Sequence, residues 1–371
     1  MRKRFLLILS IGCIVLVALS SAFVLLAHDW QPAHSSLVPT PFSQSTSQPI
    51  ERATPPPVSS RPDFSTGVVF PQWGKAAYSA TDLNWAKGLG EIQHLHARWV
   101  AMVLPLHMDS QTSTVIHTES DTPTPQSFQT GIVQAHSMGL HVFVYPLITL
   151  AGPQSWVGVV NFSDESQSAA WFASYWQVLK PYVQAMQREH ADMFSVGNEY
   201  DGLESANPAL WLGLIQHVRA DYAGKVIYNR NWASFEKSLP SWVSALDTLG
   251  VSTYWSVTPT SLRLSQAQAV TLWKQNVQSH LDAITRQVGK PVVVTEIGYR
   301  NVPDAGYLPY VADRNGPQDD QEQAILYNAA MQNIASDQNI SGVFWWAWSL
   351  PPWLPNNVAS SQVLTRWFSA L

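Results

Sequence analysis

The chain has 371 residues, 46% of them hydrophobic and only 13% charged, a balance that supports a large core and excludes a disordered polymer. A net charge of −5, with no basic run beyond the first few residues, argues against nucleic acid as a partner. Cys13 is the only cysteine, so nothing after it is held by a disulfide or by cysteine-ligated zinc.

The N-terminus reads Met1-Arg2-Lys3-Arg4 and continues as an apolar run from Phe5 to Ala27. Basic residues ahead of an apolar run mark export or membrane insertion, with the basic end kept in the cytoplasm. The run is long enough to span a bilayer, while Ser20-Ser21-Ala22 offers the small residues of a cleavage site. Residues 1–30 are thus expected to be a signal-anchor or a signal peptide. The protein would be extracytoplasmic, and either attached to the membrane by an N-terminal helix or secreted. Residues 31–62 are rich in Pro, Ser and Thr, as in Val38-Pro39-Thr40-Pro41 and Thr54-Pro55-Pro56-Pro57. Such a composition buries too little apolar surface to fold and reads as a disordered spacer.

From residue 63 to 371 short apolar runs alternate with amphipathic stretches. Strands are expected at Gly67 to Pro71, Arg98 to Leu106, His141 to Ile148, Met193 to Glu199, Lys225 to Trp232, Leu249 to Trp255, Pro291 to Glu296 and Gly342 to Ser349. Helical patterns lie between most of them, such as Thr81 to His96, Ser127 to Met138, Ala169 to His190 and Gln321 to Ser336. Eight strands with intervening helices over this length fit a (β/α)8 TIM barrel. A doubly wound sheet fits less well, because no Gly-rich phosphate loop follows the first strand.

Two of these strands end on glutamates. Ser195-Val196-Gly197-Asn198-Glu199 closes the fourth, and Val292-Val293-Val294-Thr295-Glu296 closes the seventh. Barrel active sites form at the C-terminal ends of strands, and retaining glycoside hydrolysis needs one carboxyl as proton donor and another as nucleophile. Strict alternation would point Asn198 and Glu199 to opposite sides of the sheet. Both can serve one site only if the strand ends or bulges there.

The motifs resemble those of the retaining glycosidase clan with an Asn-Glu pair on strand 4 and a glutamate on strand 7. Within it the chain is most similar to glycoside hydrolase family 113, known for endo-β-mannanases. The resemblance rests on Lys290-Pro291-Val292-Val293-Val294-Thr295-Glu296-Ile297-Gly298-Tyr299-Arg300 and Phe344-Trp345-Trp346-Ala347-Trp348-Ser349. It implies Glu199 as acid/base, Glu296 as nucleophile, Asn198 on the sugar 2-hydroxyl and Tyr254 bonded to the nucleophile. With 17 tryptophans, against about one or two per cent in an ordinary chain, some are expected to serve as sugar platforms. Trp348 is the first choice beneath the cleaved sugar and Trp346 the second. Trp73 and Trp232 are expected as outer-subsite platforms and Asn231 as a further substrate-binding residue, while Arg300 is expected either to orient a carboxylate or, preferentially, to pair on the surface.

Some positions depart from the family pattern. Val144-Tyr145-Pro146-Leu147 stands where Lys-Pro-His is usual, and Leu106 with His107 replaces an aromatic pair. These fall on sugar recognition and leave the glutamates intact. No metal-ligand spacing, cofactor motif or Gly-x-Ser-x-Gly elbow occurs, so no metal or cofactor is expected. The expectation is a monomeric retaining endo-β-glycosidase acting on a polysaccharide or oligosaccharide, most closely β-1,4-mannan or glucomannan. A non-catalytic glycan-binding barrel and an envelope-glycan transglycosylase are the alternatives.

Overall fold

A computed structural model describes residues 60–79, 82–152, 156–312 and 316–371. The apolar N-terminal run and most of the Pro/Ser/Thr segment lie outside the described residues. Among the described residues no helix is long and apolar enough to cross a membrane.

Eight parallel strands close into a barrel in chain order: β1 (Ser65–Val69), β2 (Trp99–Met108), β3 (His141–Leu150), β4 (Met193–Asn198), β5 (Lys225–Arg230), β6 (Gly250–Ser252), β7 (Val292–Ile297) and β8 (Ile340–Trp345). β8 returns to pair with β1, so no edge is left open. Around the barrel run α1 (Leu83–His94), α2 (Pro125–Ser137), α3 (Glu165–Arg188), α4 (Pro208–Asp221), α5 (Gln266–Trp273), α6 (Ser279–Val288), α7 (Asp320–Ser336) and α8 (Val358–Phe368). The sequence marks most of their starts by short polar residues, α6 excepted. The Asp82 carboxylate accepts from Asn84 N and Trp85 N at the head of α1, and Thr124 and Asn357 cap α2 and α8 in the same way.

Strand alternation sorts the apolar side chains into two cores. Val69, Ala101, Val103, Phe143, Tyr145, Met193, Ile227, Val293 and Phe344 fill the barrel interior. Their neighbours, such as Val68, Val100, Met102, Val142, Val144, Phe194, Val226 and Val294, pack outward against the helices. Fully buried Trp85, Trp171, Trp211, Trp273 and Trp345 belong to this outer layer, which accounts for many of the tryptophans.

Arg61, two residues ahead of the expected boundary at residue 63, is already bonded to the barrel domain. Arg61 N donates to Leu371 O at 3.0 Å, and its guanidinium donates to Asp337 O at 2.9 Å. Arg61 thereby ties the entry of the chain to its C-terminus. Four strands stop at least two residues short of expectation. β1 stops at Val69 rather than Pro71, β5 at Arg230 rather than Trp232, β6 at Ser252 rather than Trp255, and β8 at Trp345 rather than Ser349.

Candidate active site

One step along the strands from the apolar interior, the inward positions become polar. Ser195 follows Met193, Asn229 follows Ile227 and Thr295 follows Val293, each two residues on and therefore on the same inner face. All three are buried. A polar residue at an inward position of a buried strand needs partners, and here the partners are one another. Thr295 Oγ1 donates to Asn229 Oδ1, and the Asn229 backbone N–H donates to Ser195 Oγ at 3.0 Å.

The register of the sheet brings both glutamates to this layer. Between Ser195↔Ile227 and Asn198↔Asn229, β4 advances three residues while β5 advances two. β7 does the same against β8, from Val294↔Val343 to Ile297↔Trp345. An extra residue bends the strand and re-aims the side chains after it. β4 then ends, and Glu199 takes a left-handed φ of 57°. The conflict posed by alternation is resolved in this way. Gly197 makes the path possible: a Cβ there would lie 2.8 Å from the Tyr200 ring and 2.9 Å from Tyr228.

Asn229 sits at the centre. Its side-chain amide donates to Asn198 Oδ1, to Ser252 Oγ at 3.1 Å and to Glu296 Oε1 at 3.4 Å. Two N–H groups face three acceptors, so one hydrogen is shared. Tyr254 OH donates to Glu296 Oε2 at 3.3 Å. The buried Tyr145 hydroxyl also favours the charged form of Glu296, although it makes no hydrogen bond of ordinary geometry. Trp156 Nε1 donates to Glu199 Oε2 at 3.0 Å, and Ser252 also favours the charged form of Glu199.

Burial pushes both carboxyls up. Glu296 rises to about 8, first by desolvation and then by repulsion from Glu199, against the donors Tyr145, Tyr254 and Asn198. Glu199 is raised by desolvation, opposed by Ser252 and Trp156. Repelling carboxyls titrate as a pair, and a proton held between them belongs to the pair. The donors bias where the charge rests. Tyr254, Tyr145, Asn198 and Asn229 surround Glu296, while Trp156 and Ser252 serve Glu199. Asp201, just beyond, is also pushed up to about 7, chiefly by burial, although Ser234 Oγ donates to it at 2.7 Å.

The sequence matches glycoside hydrolase family 113 over residues 73–362. The chain belongs to glycoside hydrolase family 113. Among solved structures it is similar to the family 113 β-mannanase AaManA from Alicyclobacillus acidocaldarius in complex with ManMIm. That likeness has a TM-score of 0.72 at 23% identity and covers 83% of this chain and 97% of that one. A complex structure of a family 113 β-1,4-mannanase is matched with a TM-score of 0.70 at 21% identity, over 82% and 99% of the two chains. A family 5 enzyme, GH5_18 from Bifidobacterium longum subsp. longum, shares the fold more distantly, with a TM-score of 0.53 at 12% identity, over 81% and 78%. No curated protein matches the chain. The protein is a glycoside hydrolase on the family match.

Of the residues singled out in the sequence, Asn198, Glu199, Tyr254 and Glu296 meet in this network. Asn231 does not take part through its side chain: its Oδ1 accepts from Ala233 N at 2.9 Å and caps the 3-10 helix Trp232–Glu236. The asparagine in the network is Asn229, whose inward strand position was the available signal. Trp232 is half-buried and packs 5.3 Å from Tyr310 and 6.1 Å, edge-on, from Trp255. Trp73 is 46% exposed on the rim, where its neighbour Gly74 donates to Asp121 O at 2.6 Å.

The two strand-8 tryptophans differ in burial and partners. Trp348 is only 3% exposed, joins the outer core and donates its indole N–H to Glu91 Oε2 of α1 at 3.3 Å. The strand ends at Trp345, so alternation does not carry through to Trp348. Trp346 is half-buried against the interior cluster that contains Phe344 and Tyr145. It has the partly free ring that a platform requires. Arg300 is fully buried, with Nη2 3.5 Å from Tyr307 O, and so is not part of a surface pair.

Proposed function

We propose that this family 113 member is an extracytoplasmic retaining endo-β-glycosidase acting on β-1,4-mannan or glucomannan. The supporting observation is the convergence of Glu199 and Glu296 on one buried network centred on Asn229. Glu199 is the general acid and Glu296 the nucleophile. In the first step Glu296 forms a bond to the anomeric carbon as the glycosidic C–O bond breaks, and the Glu199 proton passes to the departing oxygen. In the second step Glu199 takes a proton from water, whose oxygen attacks the same carbon and displaces Glu296. Two inversions give net retention.

The substrate class is carried by the β-1,4-mannanase neighbours. The departures at Leu106, His107 and Val144–Leu147 put glucomannan beside mannan in the test. The location rests on the basic and apolar N-terminus, with the Pro/Ser/Thr segment as spacer.

The test assays full-length protein on mannan, glucomannan, xylan, β-glucan and chitin, and follows the anomeric configuration of the first product by NMR. Hydrolysis of mannan or glucomannan with a β product is expected, together with loss of at least about 1,000-fold in Glu199→Gln and Glu296→Gln. An α product, or undiminished hydrolysis by both variants, would overturn the mechanism.

A further inference from the structure

Trp156 carries no motif in the sequence, yet its indole N–H donates to Glu199 Oε2 at 3.0 Å while the ring stays 40% exposed. This side chain has a built seat. Trp156 pairs antiparallel with Thr149 at the end of β3. The ring lies directly over Gly158, where a Cβ would fall 2.2 Å from Cζ2 and 2.3 Å from Cη2. Gly202, in the turn after Glu199, donates to Gly158 O at 2.9 Å. A Cβ on Gly202 would fall 2.2 Å from Val160 O. Two glycines thus dock the segment after β3 onto the segment after β4, and the docking sets the indole against the carboxylate.

We propose that Trp156 is a positioning residue for the acid/base: it holds Glu199 in the empty site and gives up Glu199 Oε2 when the leaving-group sugar of a β-glycan enters. The proposal rests on the acid/base role given to Glu199 above. The two partners of Glu199 favour different protonation states. An indole N–H can only donate, so it stabilises the carboxylate and opposes the protonated acid. A glycosidic oxygen is an acceptor, and it pairs with the protonated form. The two cannot occupy the same oxygen in the same state. The sugar that carries the departing oxygen must come within hydrogen-bond reach of Glu199, which brings it beside the exposed indole. Exchange of indole for sugar therefore removes a donor from Glu199 and favours its proton at the moment the proton is needed. Once the proton has left, the carboxylate again suits the indole, and its ionised form is the one that takes a proton from water in the second step.

The test reads the Glu199 carboxyl directly. In infrared pH titrations of the full-length protein, the carboxyl band that is lost in Glu199→Gln is followed in wild type, Trp156→Phe and Gly158→Ala. The first variant removes the donor, and the second drives a methyl group into the ring and displaces it. The band is expected to persist to higher pH in both. The basic limb of kcat/KM on a β-linked oligosaccharide moves up with it, and kcat/KM at the optimum falls about tenfold. An activated aryl glycoside, whose leaving group needs no proton, is hardly affected. On a Glu296→Gln background, saturating oligosaccharide raises the titration more with Trp156 present than with Phe.

Equal rises in that comparison would overturn the release. A band unmoved in Trp156→Phe overturns the hydrogen bond's role, whatever the protein hydrolyses and whether or not Gly158→Ala folds. A moved band combined with undiminished hydrolysis by Glu199→Gln supports the coupling and overturns the proposed reaction instead.

Discussion

The Asn229 side-chain amide stands 3.4 Å from Glu296 Oε1 and also bonds Asn198 and Ser252, which links Glu296 to the residues around Glu199. One strand-5 side chain thus touches groups from β4, β6 and β7. Asn229→Ala removes every one of these links and leaves Thr295 Oγ1 without its acceptor. The expected result is a fall in kcat of about 100-fold or more, since a donor aimed at a reacting carboxylate is lost. Thermal unfolding should show a loss of about 1–3 kcal/mol, the cost of orphaned buried polar groups. A near-wild-type kcat would remove Asn229 from the machinery.

Tyr254 donates to Glu296 Oε2 at 3.3 Å and favours its charged form. Tyr254→Phe removes that donor, so the carboxyl of Glu296 rises further. In the proposed reaction Glu296 must be ionised to attack, and the acidic limb of the kcat/KM profile therefore moves to higher pH. A pH series on wild type and variant checks the direction, and an unmoved limb would show that the tyrosine only packs.

Glu296 also makes stability depend on pH. Its ordinary value of 4.5 is raised to about 8 in the folded chain. Between those values the folded state holds more protons than the unfolded state, so stability falls as pH rises through the window. The penalty is absent below the unfolded value and complete above the folded one. Glu296→Gln cannot ionise, so its Tm should exceed that of wild type at about pH 9 and match it at about pH 4. Melting curves with parallel pH dependence in the two proteins would contradict this.

The two strand-8 tryptophans are separated by different measurements. Trp348→Ala opens a hole in the outer core and should cost about 3–5 kcal/mol of stability. Trp346→Ala, which removes a half-buried ring beside Phe344 and Tyr145, should raise KM and lower kcat with a smaller change in Tm. The opposite pattern would favour Trp348 as the platform.

The placement of the strands was largely legible from the amino-acid order. Apolar runs beginning at His141, Met193 and Lys225 become strands that start at those residues, because a strand buried on both faces announces itself locally as an apolar run. Helix starts were less visible. α3 begins at Glu165, capped by Asp164, ahead of the apolar pattern that suggested Ala169. The polar first turn of a helix carries little periodic signal, and the cap declares the start only once its geometry is known.

The site was legible in its ionisable members and not in their supports. Glu199 and Glu296 stand out because each ends an apolar run, and Tyr254 followed from the family resemblance. Ser252, Tyr145 and Trp156 gave no comparable local mark. Asn229 does leave a trace, as a polar residue at an inward position, but Asn231, two residues on beside Trp232, carries the stronger resemblance to the family motif.

The sequence by itself determined a barrel with glutamates at the ends of its fourth and seventh strands, since strand character and strand ends are encoded within a few neighbouring residues. Only the tertiary structure decided that both carboxylates turn inward, that Asn229 bonds Glu296 together with Asn198 and Ser252, and that Trp156 meets Glu199. Those facts depend on register. One extra residue in β4 against β5, and one in β7 against β8, re-aims the side chains beyond it. Register is set by pairing between strands far apart in the chain, so no local stretch of sequence contains it.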